Sequence, residues 1–307
     1  MNSVQPETHP ALSIVIASWS GEFALRRCLE RLLPQAHGAE VVVAFTGNLN
    51  PAIFTDEDFQ NVHFVRGSSD ATVFQLRSLG INETRGASIA LIEDHSMVGP
   101  EWFQTLTSAQ ASGWLVCGGP IENDSESTGY DSALYFAEYA RFMPPIPSGE
   151  VTVLSGANIF YDRATLWRYR PIWESDFYET DVNAALVNAG HKLHMLSNAL
   201  VTSRLRMGLA EAMVHLFRGG IHFGNFRKSH SRPLVRWLWI IASPAIPIAM
   251  LVRIVRVTTT RRLDRLIQVV RSLPYLLLLV CAWSLGEAAG YLHCVPGQAV
   301  PSQAPKG

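Results

Sequence analysis

The feature that most constrains the fold is a regular alternation of short apolar runs and longer amphipathic stretches in the N-terminal third. Four runs rich in β-branched residues predict strands: "ALSIVIAS", "AEVVVAF", "NVHFVRG" and "ASIALIE". Two stretches with apolar residues at helical spacing predict helices: "GEFALRRCLERLLPQ" and "ATVFQLRSLGINET". Strands connected through helices pair in parallel and are covered on both faces. The sequence therefore predicts an α/β protein with a doubly wound, mostly parallel sheet.

Three polar residues, Glu93, Asp94 and His95, come directly at the end of the fourth predicted strand. Ligands of doubly wound sheets bind beyond the carboxyl ends of the strands. Charges buried there are unfavourable unless a partner, such as a metal ion, or a solvent-filled cleft offsets them. We therefore expect a ligand site at this strand end; the alternative is an exposed polar turn, with Asp94 and Ser96 as turn residues.

The chain changes character after about residue 225. One uncharged segment covers 237–252 and contains Pro244 and Pro247, and a second covers 272–286 and is followed by Glu287. A membrane-spanning helix needs about 20 apolar residues. The first segment is short for a span, whereas the second could cross a bilayer if Glu287 faces protein. The alternative is two buried helices of a soluble domain.

Arginines lie on both sides of the first apolar segment, which contradicts a simple span under the positive-inside rule. We expect this segment to lie in the interfacial plane, with the basic loop on the cytoplasmic side. The predicted domains are therefore 1–225, which contains the α/β sheet, and 226–307, an interfacial and transmembrane helical region.

Composition narrows the function classes. The formal net charge of -1 argues against a general nucleic-acid-binding surface. The four cysteines, Cys28, Cys117, Cys281 and Cys294, are scattered without CxxC spacing, so they predict neither a zinc site nor a disulfide framework.

Five segments together resemble family 2 glycosyltransferases with the GT-A fold. They are "LSIVIASWSGEFALRRCLERLLPQ", "LIEDH" before "GPEW", "VLSGANIFYDRATL", "YETDVNAALVNAGHKL" and the closing "AWSLGEAAGYL", which is similar to the membrane-bound members. The resemblance extends from about Leu12 to Leu292. It implies a nucleotide-sugar donor, a glycan or lipid-linked acceptor, and a divalent metal, Mn2+ or Mg2+.

In the family, a DxD motif after the fourth strand holds that metal on the donor diphosphate. The matching residues here are Glu93, Asp94 and His95, so neither outer position is Asp. The resemblance implies metal ligation by Glu93 and His95 and nucleotide contact by Asp94. A mixed nitrogen and oxygen shell suits manganese better than magnesium.

The family's catalytic carboxylate precedes a helix, and its position matches Glu179, with Asp181 two residues later. A carboxylate there can accept the proton of the acceptor hydroxyl in an inverting transfer. The alternative is that Thr180 or Asp181 caps the helix, with Glu179 favourable near its positive end.

The resemblance also implies contacts with the rest of the donor and with the acceptor. Expected nucleotide contacts are Ser18, Trp19, Ser20 and Arg77; Trp19 could equally be a core residue and Arg77 a solvated one. Expected diphosphate or acceptor contacts are Gly156, Asn158, Arg218, His222 and Arg227. The acids that usually follow the family's second strand are missing from "VVVAFTGN", which leaves the nucleotide open.

The sequence thus predicts a membrane-associated inverting glycosyltransferase of cell-surface polysaccharide or glycolipid synthesis. Its expected location is the inner membrane, with the catalytic domain in the cytoplasm. One alternative is a catalytically silent nucleotide-sugar-binding scaffold of a glycan assembly complex. Another is a nucleotidyltransferase, although "ASWSGEF" has no Gly-rich basic loop after the first strand.

Overall fold

A computed structural model describes residues 10–47, 49–54 and 59–292, and the strands and helices predicted for the N-terminal third all form in it. The strands are β1 (Leu12–Ser18), β2 (Glu40–Phe45), β3 (Val62–Arg66), β4 (Ser88–Glu93), β5 (Ser96–Val98), β6 (Val116–Gly118), β7 (Ile121–Asn123), β8 (Gly149–Val151), β9 (Asn158–Asp162), β10 (Leu193–Met195) and β11 (Val201–Ser203).

Helices follow the strands in the first part of the chain and dominate its end. They are α1 (Glu22–Leu32), α2 (Val73–Asn82), α3 (Trp102–Ala111), α4 (Gly129–Tyr139), α5 (Arg163–Trp167), α6 (Arg170–Trp173), α7 (Glu179–Asn188), α8 (Leu209–Ser229), α9 (Pro233–Ala242), α10 (Ile246–Arg261) and α11 (Leu266–Leu292). Cys294 lies outside the described residues.

The central sheet has the strand order β3-β2-β1-β4-β9-β6-β10-β8. β3, β2, β1 and β4 are mutually parallel, and β9 runs antiparallel to both β4 and β6. β1 and β4 are buried along their whole length, as expected for strands covered on both faces. The predicted fold class, a mostly parallel α/β sheet followed by C-terminal helices, is confirmed.

Contacts divide the chain into two compact units, each made of two stretches of sequence. Unit 1 consists of Met1–Pro120 and Pro147–Val201, and unit 2 of Ile121–Ile146 and Thr202–Gly307. Unit 1 contains the central sheet, whereas unit 2 contains α4 and α8 to α11. These units describe packing, and the functional boundary expected near residue 225 stays a prediction.

Within unit 2, α8 and α11 touch backbone to backbone through glycines. A Cβ atom added at Gly220 would lie 2.2 Å from the carbonyl oxygen of Trp283, and one added at Gly224 would lie 2.3 Å from that of Glu287. Gly286 and Gly290 make equally close approaches from α11 to α8. Small residues allow this approach, and any side chain there would push the helices apart.

Glu287 is buried between these helices and faces protein, as a polar residue in an apolar helix requires. Its Oε1 atom accepts hydrogen bonds from Arg227 Nη1 at 2.9 Å and from the Tyr291 hydroxyl at 2.6 Å. The guanidinium of Arg227 also lies over the rings of Phe223 and Trp239. The structure therefore accounts for Arg227 through contacts inside unit 2, and its expected diphosphate contact stays a prediction.

Among the described residues, two helical stretches are long and apolar enough to cross a membrane, Trp237–Arg261 and Leu263–Leu292. The first is broken by a 3-10 turn at Ser243–Ala245, where Pro244 interrupts the helix. Because this criterion uses only length and composition, the two stretches are weak evidence of membrane association.

Gly224→Ala tests the glycine contact. Alanine favours a helix by about 1 kcal/mol over glycine, but the clash with the Glu287 carbonyl should outweigh this gain. We expect the free energy of unfolding to fall by about 1–3 kcal/mol, as for other overpacked sites, measured by urea unfolding. Gly129→Ala on α4 is the control, because its Cβ would sit at an ordinary 3.5 Å from the nearest atom; equal behaviour of the two variants would contradict the account.

Candidate active site

Asp94 fastens the loop that follows β1. Parallel pairing places Ala17 opposite Glu93, so the residues after β1 and β4 meet at the same sheet edge. Asp94 Oδ2 accepts hydrogen bonds from Trp19 N at 2.8 Å, Ser20 N at 2.7 Å and Ser18 Oγ at 3.1 Å. Asp94 is fully buried, and through these hydrogen bonds it positions the expected nucleotide-binding loop from the core side of the loop.

His95 lies between the two carboxylates of the motif. Its Nε2 atom is 3.2 Å from Glu93 Oε2, and its Nδ1 atom is 3.4 Å from both Asp94 Oδ1 and Ser20 Oγ. The ring also meets Trp19 edge to face, with centroids 5.8 Å apart. His95 is 3% exposed, so the alternative of an exposed polar turn does not describe these residues.

Arg77 connects the end of β4 to the start of α7. Its Nη2 atom donates to Glu93 Oε1 in an ion pair, and its Nη1 atom donates to Glu179 Oε2 at 2.9 Å. Arg77 is 4% exposed, so the alternative in which it is a solvated surface arginine is wrong. One guanidinium therefore balances two carboxylates that are far apart in sequence.

Gly156 makes room for this ion pair. A Cβ atom at this position would lie 2.5 Å from Arg77 Nη1 and 2.7 Å from Glu179 Oε2. This close approach is directed at two charged side chains of the protein, and the expected contact of Gly156 with a ligand stays a prediction.

Glu179 and Asp181 lie in the first turn of α7. Glu179 is the first helical residue, and the N-cap residue, Tyr178, makes no side-chain capping hydrogen bond. Thr180 and Asp181 therefore follow the cap position, so the alternative in which either caps the helix does not hold. The Glu179 side chain keeps 18% of its surface exposed, against 5% for Glu93.

Two aromatic residues beside this ion pair were not among the expected site residues. Phe74 lies one helical turn before Arg77, with its ring centroid 5.7 Å from the guanidinium carbon, and it packs edge to face on Tyr178. Burial, reinforced by the Glu179 carboxylate, raises the pKa of Tyr178 above its usual value, so its hydroxyl stays protonated. The sequence held one signal for Phe74: it lies three residues before Arg77 on the same predicted helix, so the two side chains share a face.

Asn158 is used entirely by the fold of unit 1. Its amide donates to the carbonyl oxygens of Pro120 and Ala199, and its Oδ1 atom accepts from Trp102 Nε1 at 2.9 Å. Its amide is buried and hydrogen-bonded on both sides, so the fold accounts for this side chain, and its expected diphosphate or acceptor contact stays a prediction.

The residues expected to hold a metal do not fit one in this arrangement. Both Glu93 oxygens already face cationic or imidazole nitrogens, from Arg77 and His95. One Asp94 oxygen holds three donors. Within residues 10–47, 49–54 and 59–292, no three His, Cys, Asp or Glu residues are grouped so that they could hold a metal ion. We therefore derive no chemical step through a metal.

The remaining expected residues belong to other parts of the structure. Arg218, which is exposed, and His222, which is half-buried, lie on α8 in unit 2, and their diphosphate contact stays a prediction. An open cavity of about 480 Å³ in unit 1 is lined by residues such as Glu101, Gln104 and Asn198, and no expected site residue lines it.

Comparison with known proteins supports the fold. The chain is similar to the solved structure of the mannosyltransferase PcManGT from Pyrobaculum calidifontis in complex with GDP-Man and Mn2+, with a TM-score of 0.52 and 11% sequence identity. The match covers 94% of this chain and 88% of that one. No protein-family description matches the chain, and no curated protein matches it in sequence.

Asp94→Asn tests the loop anchor. The neutral amide removes the negative charge that strengthens the three hydrogen bonds to Oδ2. We expect faster hydrogen exchange at the amides of Trp19 and Ser20 and a stability loss of about 1–3 kcal/mol. Asp70→Asn, at an exposed position, is the control, and unchanged exchange in the Asp94 variant would contradict the anchoring role.

Proposed function

We propose that this protein is a membrane-associated inverting glycosyltransferase that moves a sugar from a nucleotide-sugar donor to a lipid-linked or glycan acceptor. The observation that carries the proposal is the buried chain of Glu93, Arg77 and Glu179 at the carboxyl edge of the sheet. It delivers a partly exposed carboxylate, that of Glu179, to the edge where ligands of such sheets bind.

The donor nucleotide is proposed to bind at the loop formed by Ser18, Trp19 and Ser20. Asp94 holds the loop backbone in place from the buried side, which leaves Trp19, half-buried, to contact a base or ribose. Holding a binding loop in one conformation before the ligand arrives lowers the entropy lost on binding.

Glu179 is proposed to act as the general base. The acceptor hydroxyl oxygen attacks the anomeric carbon as the bond to the nucleoside diphosphate breaks, and the hydroxyl proton passes to the Glu179 carboxylate. Attack opposite the leaving group inverts the configuration. Arg77 orients this carboxylate through its 2.9 Å bond to Oε2, and Asp181, two residues later in the same turn, adds negative charge near the reacting centre.

The leaving diphosphate needs positive partners, and Arg218 and His222 on α8 stay the residues that the family resemblance proposes for this role. Arginine is well shaped to donate paired hydrogen bonds to phosphate oxygens. The similar fold of a mannosyltransferase that binds GDP-Man supports a nucleotide-sugar donor, while the sugar and base are not specified by the residues named here.

The apolar helices of unit 2 support an acceptor in or on a membrane. We propose that the protein acts at the inner membrane, with its catalytic residues on the cytoplasmic side, in polysaccharide or glycolipid synthesis. The rival function is a catalytically silent nucleotide-sugar-binding scaffold, and the engagement of Glu93 with Arg77 favours it, because Glu93 then cannot hold a metal.

Glu179→Gln separates the two functions. The amide keeps the shape and cannot accept the proton, so turnover with a hydroxyl acceptor should fall by roughly 100-fold to 10,000-fold, while donor affinity stays near that of the wild type. Glu174→Gln, an exposed carboxylate of the same segment, should change neither quantity.

Normal transfer to a hydroxyl acceptor by the Glu179→Gln protein would refute the assignment. A lipid-phosphate acceptor is already anionic and needs no base, so the same variant should then lose little activity. Circular dichroism and unfolding curves of the variant distinguish lost chemistry from lost folding.

Affinity for nucleoside diphosphates, measured with Mn2+ and with a chelator, tests the expected metal. The contacts of Glu93 and His95 lead us to expect affinities that agree within about 2-fold, well under 1 kcal/mol. Tighter binding with Mn2+ that is lost in His95→Ala would instead establish the metal site expected from the sequence.

A further inference from the structure

We propose that unit 2 attaches to one leaflet of an anionic membrane through the exposed sides of α9, α10 and α11, and that none of these helices crosses the bilayer. The inference rests on the membrane association included in the proposed function. It specifies the mode of attachment, which determines where the C-terminus of the chain lies.

The uncharged part of the first apolar stretch is too short to cross. α9, the 3-10 turn at Ser243–Ala245 and α10 follow one another without a gap, but Arg236 and Arg253 limit the uncharged part to 237–252. That part is about 24 Å long at 1.5 Å per residue, against an apolar bilayer core of about 30 Å.

The exposed surface of α10 has an apolar side and a basic side. Ile248, Val252 and Val255 are exposed in one row, and Arg253 and Arg256 are exposed in the next. The opposite side packs into unit 2 through Met250, Ile254 and Thr258. This division is typical of a helix that lies in the interface plane with its charges among the headgroups.

α11 is long enough to cross, with 27 residues, but it does not stand alone. α8 runs beside it, with Gly220 against Trp283 and Gly224 against Glu287. α8 carries Glu211, His215, Arg218 and His222. A bilayer around α11 would have to enclose these groups as well, which is unfavourable in hydrocarbon.

The first half of α11 has a second polar neighbour in α4. Tyr130 of α4 meets Tyr275 with ring centroids 5.4 Å apart, and Glu138, further along α4, lies 2.7 Å from His215 of α8. α11 therefore offers lipid only its remaining side, where Val270, Leu277 and Leu285 are exposed.

The connection between α10 and α11 is tied to the folded part of unit 2. Arg262 and Arg265 form ion pairs with Glu122, and Arg261 donates to the carbonyl oxygens of Arg141 and Met143. The other end of α11 is held by the pair of Glu287 and Arg227. Both ends of this helix are thus fixed to elements of one compact unit.

Charge and aromatic residues identify an anionic lipid surface as the occupant. The sequence has no Asp or Glu between Glu211 and Asp264, while it carries Arg or Lys at nine positions there: 218, 227, 228, 232, 236, 253, 256, 261 and 262. Three of these, Arg227, Arg261 and Arg262, also bond to other groups of unit 2. Trp237 is 63% exposed, and tryptophan concentrates at the level of lipid headgroups.

Cysteine labelling of the full-length protein in membrane vesicles tests the topology. Cys281 and Cys294 are replaced by Ser, whereas Cys28 and Cys117 are kept because they are buried, and burial raises the pKa of Cys117 to about 12. A membrane-impermeant maleimide is then applied to right-side-out and inverted vesicles carrying one probe at a time: Ser112→Cys in unit 1, Thr260→Cys on the basic side of α10, or Ser302→Cys after α11.

We expect all three probes to react from the same side. Labelling of position 260 from the side opposite to position 112 would mean that α9 and α10 cross, and labelling of positions 260 and 302 from opposite sides would mean that α11 crosses. Either result overturns the inference and leaves membrane association intact.

Vesicle flotation of the purified full chain tests the lipid surface itself. Binding should be stronger to vesicles of phosphatidylcholine with phosphatidylglycerol than to phosphatidylcholine alone. The double variant Arg253→Gln/Arg256→Gln should bind the anionic vesicles roughly 30-fold more weakly, which corresponds to about 1 kcal/mol for each of two basic residues.

Arg31→Gln/Arg168→Gln, two exposed arginines of unit 1, is the matched control and should bind as the wild type does. Equal binding to neutral and anionic vesicles, or an unaffected Arg253→Gln/Arg256→Gln protein, would contradict the anionic surface. No flotation at all would overturn both this inference and the membrane association in the proposed function.

Discussion

A guanidinium buried between two carboxylates organises the carboxyl edge of the central sheet. Arg77 is 4% exposed and reaches Glu93 on one side and Glu179 on the other. Truncating one member of a buried ion pair leaves an uncompensated charge, which is strongly destabilising. The end of β4, the start of α7 and the close approach of Gly156 therefore depend on one another.

The same constraint connects fold and proposed chemistry. Because Arg77 holds Glu179 at the first residue of α7, the position of its carboxylate is set by buried side chains. Asp94 fixes the loop after β1 in the same way, because it accepts hydrogen bonds from two backbone N–H groups of that loop. Positions fixed in this way, before any ligand binds, are what a positioned base and a binding loop require.

The local patterns predicted more of the fold than of the site. Apolar runs and helical spacing identified β1 to β4, α1 and α2, since each element is encoded within a few residues. The partners of Arg77 and Asp94 lie 16 to 102 residues away in sequence, and periodicity holds no information about such contacts. The sequence marked Glu93, Asp94, His95 and Glu179 as site residues but could not show that Arg77 links two of them.

The C-terminal helices show the same limit. Their apolar character was evident, whereas the glycine contacts of α8 with α11 and the grouping of α8 with α4 depend on packing between distant segments. Glu287 illustrates this: in sequence it interrupts an apolar segment, and in the structure it is bonded to Arg227 and Tyr291.

The most direct measurement of the central claim is the release of nucleoside diphosphate from a panel of nucleotide sugars by the purified protein, with membrane lipid extract as the source of acceptor. The account predicts release from at least one donor, together with transfer of its sugar to a lipid-extractable product. Binding of nucleotide sugars without any release or transfer would contradict it and identify the protein as a silent scaffold.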